Sequence, residues 1–316
     1  MVVDLARGRR LLAALLAVFL AGCGGSQSNS ASTTELTESA VPTAAYAAGS
    51  YQAPEMLLSE FHEELCSESN GVKLDLSAVE QGYIAVSAVS DHRLKLQVLK
   101  DGETYTYDIA SDGTPSIFPL QCGNGSYHIR VMENVVDSKY AQLYAEDCQV
   151  TLLDVFQPYL RPSDYVNYSP ESACVARAAQ LDAGADTALD VVKAVYDYIV
   201  GSVTYDQAKA ASVKSGYMPD PDETLRTGTG ICFDYASLAA AMLRSQGIPA
   251  KVIFGYVSPN GLYHAWNMFY TEETGWVTVS YEVSAGWTRL DLTFSAGGAS
   301  DTFVGDGENY SELYQY

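Results

Sequence analysis

The chain has 316 residues, 47% of them hydrophobic, with 18 Lys+Arg against 39 Asp+Glu and a formal net charge of −21. The apolar fraction excludes a disordered chain. The acidity excludes nucleic acid as the main partner, because too few cations are present to neutralise phosphates, and four scattered His do not make a poly-histidine metal site.

The length suits two domains of ~150 residues each. Residues 1–22 read as an export signal: Arg7, Arg9 and Arg10 precede the apolar run Leu11 to Leu20. That run falls short of the ~20 residues a membrane span needs and suits the core of a signal peptide. It ends in Leu20-Ala21-Gly22-Cys23, which resembles the bacterial lipoprotein signal. The resemblance implies lipidation of Cys23, cleavage before it, and a lipid-anchored protein on the extracytoplasmic face of the cell membrane. Cleavage there removes three Arg and one Asp and takes the charge from −21 to −23. So acidic a surface is repelled by anionic headgroups, and the lipid must do the anchoring. Residues 23–46, rich in Ser, Thr, Ala and Gly, read as a flexible linker reaching roughly 25 Å.

Residues 47–160 read as a small β-sandwich-like module. Period-two alternation predicts strands over 83–89, 93–99 and 104–109, with a hairpin turn at Lys100-Asp101-Gly102-Glu103. A second turn falls at 111–115. Strands over 126–131 and 140–145 pair around a turn near 134–139. Nothing in this module suggests chemistry, so it reads as a spacer or binding module. Cys122 and Cys148 sit symmetrically about residue 135, which makes a disulfide plausible. Cys66–Cys174 is the remaining pair, although four Cys allow three connectivities. With Cys23 lipidated and those pairs made, Cys232 is left unpaired.

Residues 161–316 read as an α+β domain. Thr187 and Asp190 form a capping box before a helix to Val200. Tyr205 and Asp206 lead into a polar loop through Asp220 and Asp222, whose acids read as solvated turn residues. Thr227-Gly228-Thr229-Gly230-Ile231 then runs into a helix from Cys232 to Gln246, stopped by Gly247-Ile248-Pro249. A cysteine at a helix N-terminus meets free N–H groups and the positive end of the helix dipole, which favour the thiolate. Asp234, about 200° further round the helix, should point away from it. Strands over 251–257, 263–270 and 276–281 follow, with His264 near the start of the second.

Four segments, in this order, resemble the transglutaminase-like superfamily with its papain-like core. They are the glycine loop into Cys232-Phe233-Asp234-Tyr235-Ala236, Gly247-Ile248-Pro249-Ala250, the strand ending Gly255-Tyr256, and His264-Ala265-Trp266-Asn267. The resemblance spans roughly 187–295. It implies Cys232 as nucleophile, His264 as base and Asp291, after Gly286-Trp287, as the carboxylate behind the imidazole, with Glu282 as fallback. It also implies Tyr205 as an oxyanion donor beside the Cys232 N–H. Met268 stands where the family often has Glu. Trp266, Trp276 and Trp287 read as core. The implied protein is a membrane-anchored thiol enzyme without metal or cofactor. It would cleave or transfer acyl groups at peptide amide bonds of a protein or peptide substrate, cell-wall peptide included, with hydrolysis favoured over crosslinking. The alternative is an idle envelope scaffold in which the β-module holds a polymer.

Overall fold

The computed structural model describes residues 2–4, 49–257, 261–277 and 310–316. Cys23, the linker, Glu282, Trp287 and Asp291 lie outside them. Among the described residues no helix is long and apolar enough to cross a membrane.

The β-rich half is two antiparallel sheets. One runs in the order β1 (Val2–Asp4), β9 (Lys139–Val150), β8 (Gly125–Val136), β5 (Leu94–Lys100), β6 (Glu103–Ile109). The other runs β2 (Ser67–Ser69), β3 (Val72–Asp75), β4 (Tyr83–Ala88), β7 (Ser116–Pro119). Alternation sends Leu94, Leu96, Val98, Ile129 and Val131 inward, to join Leu74, Ile84, Val86 and Phe118 in one buried cluster. Asp101 and Gly102 both take positive φ in the predicted hairpin turn, as a two-residue loop matched to strand twist requires. Asn70-Gly71 repeats this conformation between β2 and β3. Those two strands went unpredicted because three or four residues carry too little alternation to register.

β8 and β9 each extend over twelve residues, about twice the predicted length, and the hairpin turns after Val136. Their register sets Cys148 opposite Tyr127, so equal spacing about residue 135 does not put Cys122 across from Cys148. The five described cysteines, Cys66, Cys122, Cys148, Cys174 and Cys232, are unbonded.

The second half packs helices on a sheet. α1 (Ala173–Asp182), α2 (Ala188–Ser202) and α4 (Pro221–Thr227) surround α5 (Cys232–Ser245), which lies on the sheet β14 (Gly275–Val277), β13 (Leu262–Thr271), β12 (Ala250–Val257), β15 (Tyr310–Gln315). The stretch expected as a loop contains α3 (Gln207–Ser212) as well as α4. The aspartates read as solvated turn residues are helix caps: Asp206 accepts from Lys209 N–H, Asp220 from Glu223 N–H, and Asp222 from Ala173 and Cys174 N–H.

The halves share one core. Tyr105 and Tyr107 of β6 meet Tyr316 edge-on, and Tyr165 packs tilted against the same ring. Arg244, 1% exposed, donates to the carbonyls of Ala250, Arg161 and Tyr316. Residues 49–62, expected within the β-module, bridge the two halves: their start lies on the helical half, and at their end Glu60 N–H donates to the Tyr83 hydroxyl and His62 N–H to Asp75. Gly49 and Tyr51 N–H bond Ala183 and Ala185, and the Tyr51 hydroxyl bonds the Gln246 carbonyl.

Candidate active site

The loop before α5 is held by a two-residue parallel pairing of β10 (Thr204–Tyr205) with β11 (Thr229–Gly230). Asp206 N–H donates to the Gly230 carbonyl at 2.9 Å. Gly228 ends α4 at φ +61°, a left-handed conformation that favours glycine. A Cβ on Gly230 would fall 2.7 Å from Asp234 Cβ, so only glycine lets the loop lie this close to the helix.

Cys232 is the first residue of α5 and is half-buried. The residue before it, Ile231, has no side-chain acceptor, and no side chain caps this helix. The first-turn N–H groups thus receive no bond from an N-cap side chain. Asp234 does point elsewhere. Fully buried, it accepts from Ile231 N–H at 2.8 Å, Lys209 Nζ at 2.7 Å and the Tyr217 hydroxyl at 2.5 Å. Burial pulls the Lys209 pKa down, but its bonds to Asp234 and Tyr217 outweigh this and hold it above the ordinary lysine value. Burial and the bond to Asp234 raise Tyr217. Sequence reasoning missed Lys209 and Tyr217, which lie in the stretch taken for a polar loop. The Asp206-to-Lys209 capping interval was the signal for the helix that carries the lysine.

β13 brings His264 to the same end of the domain. Phe233, next to Cys232, packs edge-on against Phe254 with centroids 4.9 Å apart. Phe254 pairs with Ala265, and the adjacent pair is Gly255 with His264, 3% exposed. One turn along the helix, Asn267 Nδ2 donates to the Ala236 carbonyl at 2.9 Å and to the Lys251 carbonyl at 3.0 Å, fastening strand to helix. Alternation gives Ala265, Asn267 and Phe269 to the α5 side. His264 is in phase with Trp266 and Met268, which form a separate cluster with Ile253. Met268, where the resemblance expects Glu, is a packing residue there, and Trp266 and Trp276 pack as expected. On that face Lys251 Nζ sits 4.0 Å from the Trp276 ring centre and 4.6 Å from that of Tyr159. Burial, partly offset by Glu312, pushes its pKa down to about 8. Tyr205 is half-buried and pairs with Gly230 across the parallel bridge. No group of three or more His, Cys, Asp or Glu side chains able to hold a metal occurs among the described residues.

The family model of the transglutaminase-like superfamily matches residues 175–281. YebA, an uncharacterized protein of Bacillus subtilis, is 30% identical over 129 residues, covering 35% of this chain and 17% of that protein. A protein-glutamine gamma-glutamyltransferase of Pseudomonas aeruginosa is 32% identical over 94 residues, covering 26% and 13%. The chain thus matches less than a fifth of the length of either relative. Among solved structures, a proposed cysteine protease from Cytophaga hutchinsonii aligns over 73% of each chain at 16% identity and a TM-score of 0.40.

Proposed function

On the premise that residues 175–281 form a transglutaminase-like domain, we propose that this protein is a thiol enzyme acting at peptide amide bonds, with Cys232 as nucleophile, His264 as base and Asp291 as its orienter. The observation that carries the reading is the uncapped start of α5 at Cys232, behind a glycine loop and at the same end of the layer as His264. The thiolate attacks the amide carbonyl, forming the S–C bond while the C–N bond breaks. The proton taken from sulfur passes from the imidazole to the leaving amine. The Cys232 N–H, with Tyr205, serves the oxyanion. Water then resolves the thioester, because a half-buried thiol is open to solvent. Hydrolysis is therefore favoured over crosslinking. Lipidation of Cys23 and the linker to residue 46 hold the enzyme on the extracytoplasmic face of the membrane, facing protein or cell-wall peptide.

A second reading is favoured by the phase of His264, which counts it with Trp266 and Met268. In that reading the imidazole is a packing group and the domain an idle scaffold. Alkylation of native Cys232 across pH, followed by peptide mass mapping, separates the two. A thiol titrating well below the ordinary ~8.5, with that behaviour lost in His264→Ala, supports the enzyme. A Cys232 that resists alkylation until denaturation, or is indifferent to His264→Ala, removes the triad. A peptide-library digest then identifies the bond cleaved.

A further inference from the structure

The cluster behind the nucleophile has an arrangement that helix capping alone does not require. Asp234 needs only one oxygen to take the Ile231 N–H, yet it is also bonded by an ammonium and a phenol from outside its helix. An unpaired carboxylate two residues from a thiol would oppose the thiolate by Coulomb repulsion and cancel much of the helix-start field. Its full burial would strengthen that repulsion. Lys209 Nζ lies 2.7 Å from Asp234 Oδ2 and 2.7 Å from the Tyr217 hydroxyl, above whose ring it also sits, 4.5 Å from the centre. Asp206, which caps the helix carrying Lys209, also donates its own N–H to the Gly230 carbonyl. Lys209 and its helix cap thus hold the adjacent residues Ile231, through Asp234, and Gly230.

Resting on the reading of Cys232 as nucleophile, we infer that Lys209 is a positioning residue. It neutralises Asp234, so that the acid fixes the Ile231–Cys232 turn without charging the surroundings of the thiol. Among the described residues, the titratable groups that bonds and strand pairing place about this helix start are Asp234 on α5, Asp206 and Lys209 at α3, Tyr217 beyond it, Tyr205 on β10 and His264 on β13. Of these, Lys209 is the cation that stays charged at every pH where the thiol titrates.

The test is the alkylation midpoint of Cys232 in full-length wild type, Lys209→Met, Lys209→Arg and Tyr217→Phe, with iodoacetamide as probe and each protein held at the same interval below its own Tm. Lys209→Met keeps the aliphatic stem and loses the charge. Its midpoint is expected to rise by about one pH unit, roughly tenfold less thiolate at neutral pH. Turnover should fall in kcat with KM unchanged. Lys209→Arg should restore the midpoint, which a purely packing role would not explain. Tyr217→Phe, which keeps the ion pair, should move it by much less. A depressed wild-type midpoint that stays put in Lys209→Met overturns the role of Lys209 and leaves the nucleophile standing. An ordinary thiol midpoint in the wild type overturns both.

Discussion

The starts of α2 and α5 use the same acid for different ends. At α2, Thr187 takes the Asp190 N–H and Asp190 returns a bond to the Thr187 N–H, a complete capping box. At α5, Asp234 likewise takes the Ile231 N–H, but Ile231 has nothing to give back. α3 and α4 also start under aspartate side chains, and Asp222 reaches across from α4 to the start of α1. Among the described α-helices, α5 alone begins with its first-turn donors unserved by a side chain. A helix start left open costs about 1 kcal/mol, which a thiolate at Cys232 would offset under the proposed function. The far end of α5 makes this affordable: Arg244 ties it to three backbone carbonyls.

The sharpest break of this comparison is Cys232→Ser. Turnover should drop by at least about a thousandfold, while a urea titration shows a stability change within ~1 kcal/mol. A large stability loss would make Cys232 a core residue like any other. Next is Arg244→Met, which removes the buried guanidinium's bonds to the carbonyls of Ala250, Arg161 and Tyr316. About 3 kcal/mol or more should be lost, read as a lower urea midpoint. Ile231→Thr supplies the acceptor that α5 lacks and competes with the thiolate for the same donors. We expect kcat about tenfold lower and a higher Cys232 alkylation midpoint, worth roughly 1.4 kcal/mol. No change in either would mean the open donors are idle.

Thr187→Ala, the converse at α2, should cost about 1 kcal/mol of stability with turnover unaltered. The smallest effect is acidic. Burial raises the Asp222 carboxyl, but its bonds from Cys174 and Ala173 N–H outweigh this and leave its pKa below the usual value. A folded pKa lowered in this way contributes stability that is complete above the unfolded pKa of ~4 and disappears as pH falls through the folded value. Asp222→Asn should therefore cost up to ~1 kcal/mol at pH 7 and nothing measurable at pH 2, in paired urea titrations.

Much of this was legible in the residues themselves. The Asp101-Gly102 turn, the alternation of β5, the Thr187/Asp190 box and the Gly247-Ile248-Pro249 stop all act within a few residues. Backbone preference and side-chain period fix such features before any distant contact forms. Cys232 at a helix start behind glycines was legible for the same reason. The rest depended on residues remote in the chain. The identity of Asp222 as a cap for α1, 48 residues away from Cys174, leaves no local pattern. Neither does the choice of Lys209 and Tyr217 as partners of Asp234, nor the docking of Gly49 and Tyr51 on Ala183 and Ala185. A charge in a loop looks the same in sequence whether it meets water or a buried carboxylate. Only packing decides which, because desolvation and pairing energies exist only once the two segments are side by side. The side of β13 on which His264 falls belongs to the same class: a strand's period fixes which residues share a face, and only the docking of α5 decides which face is inward.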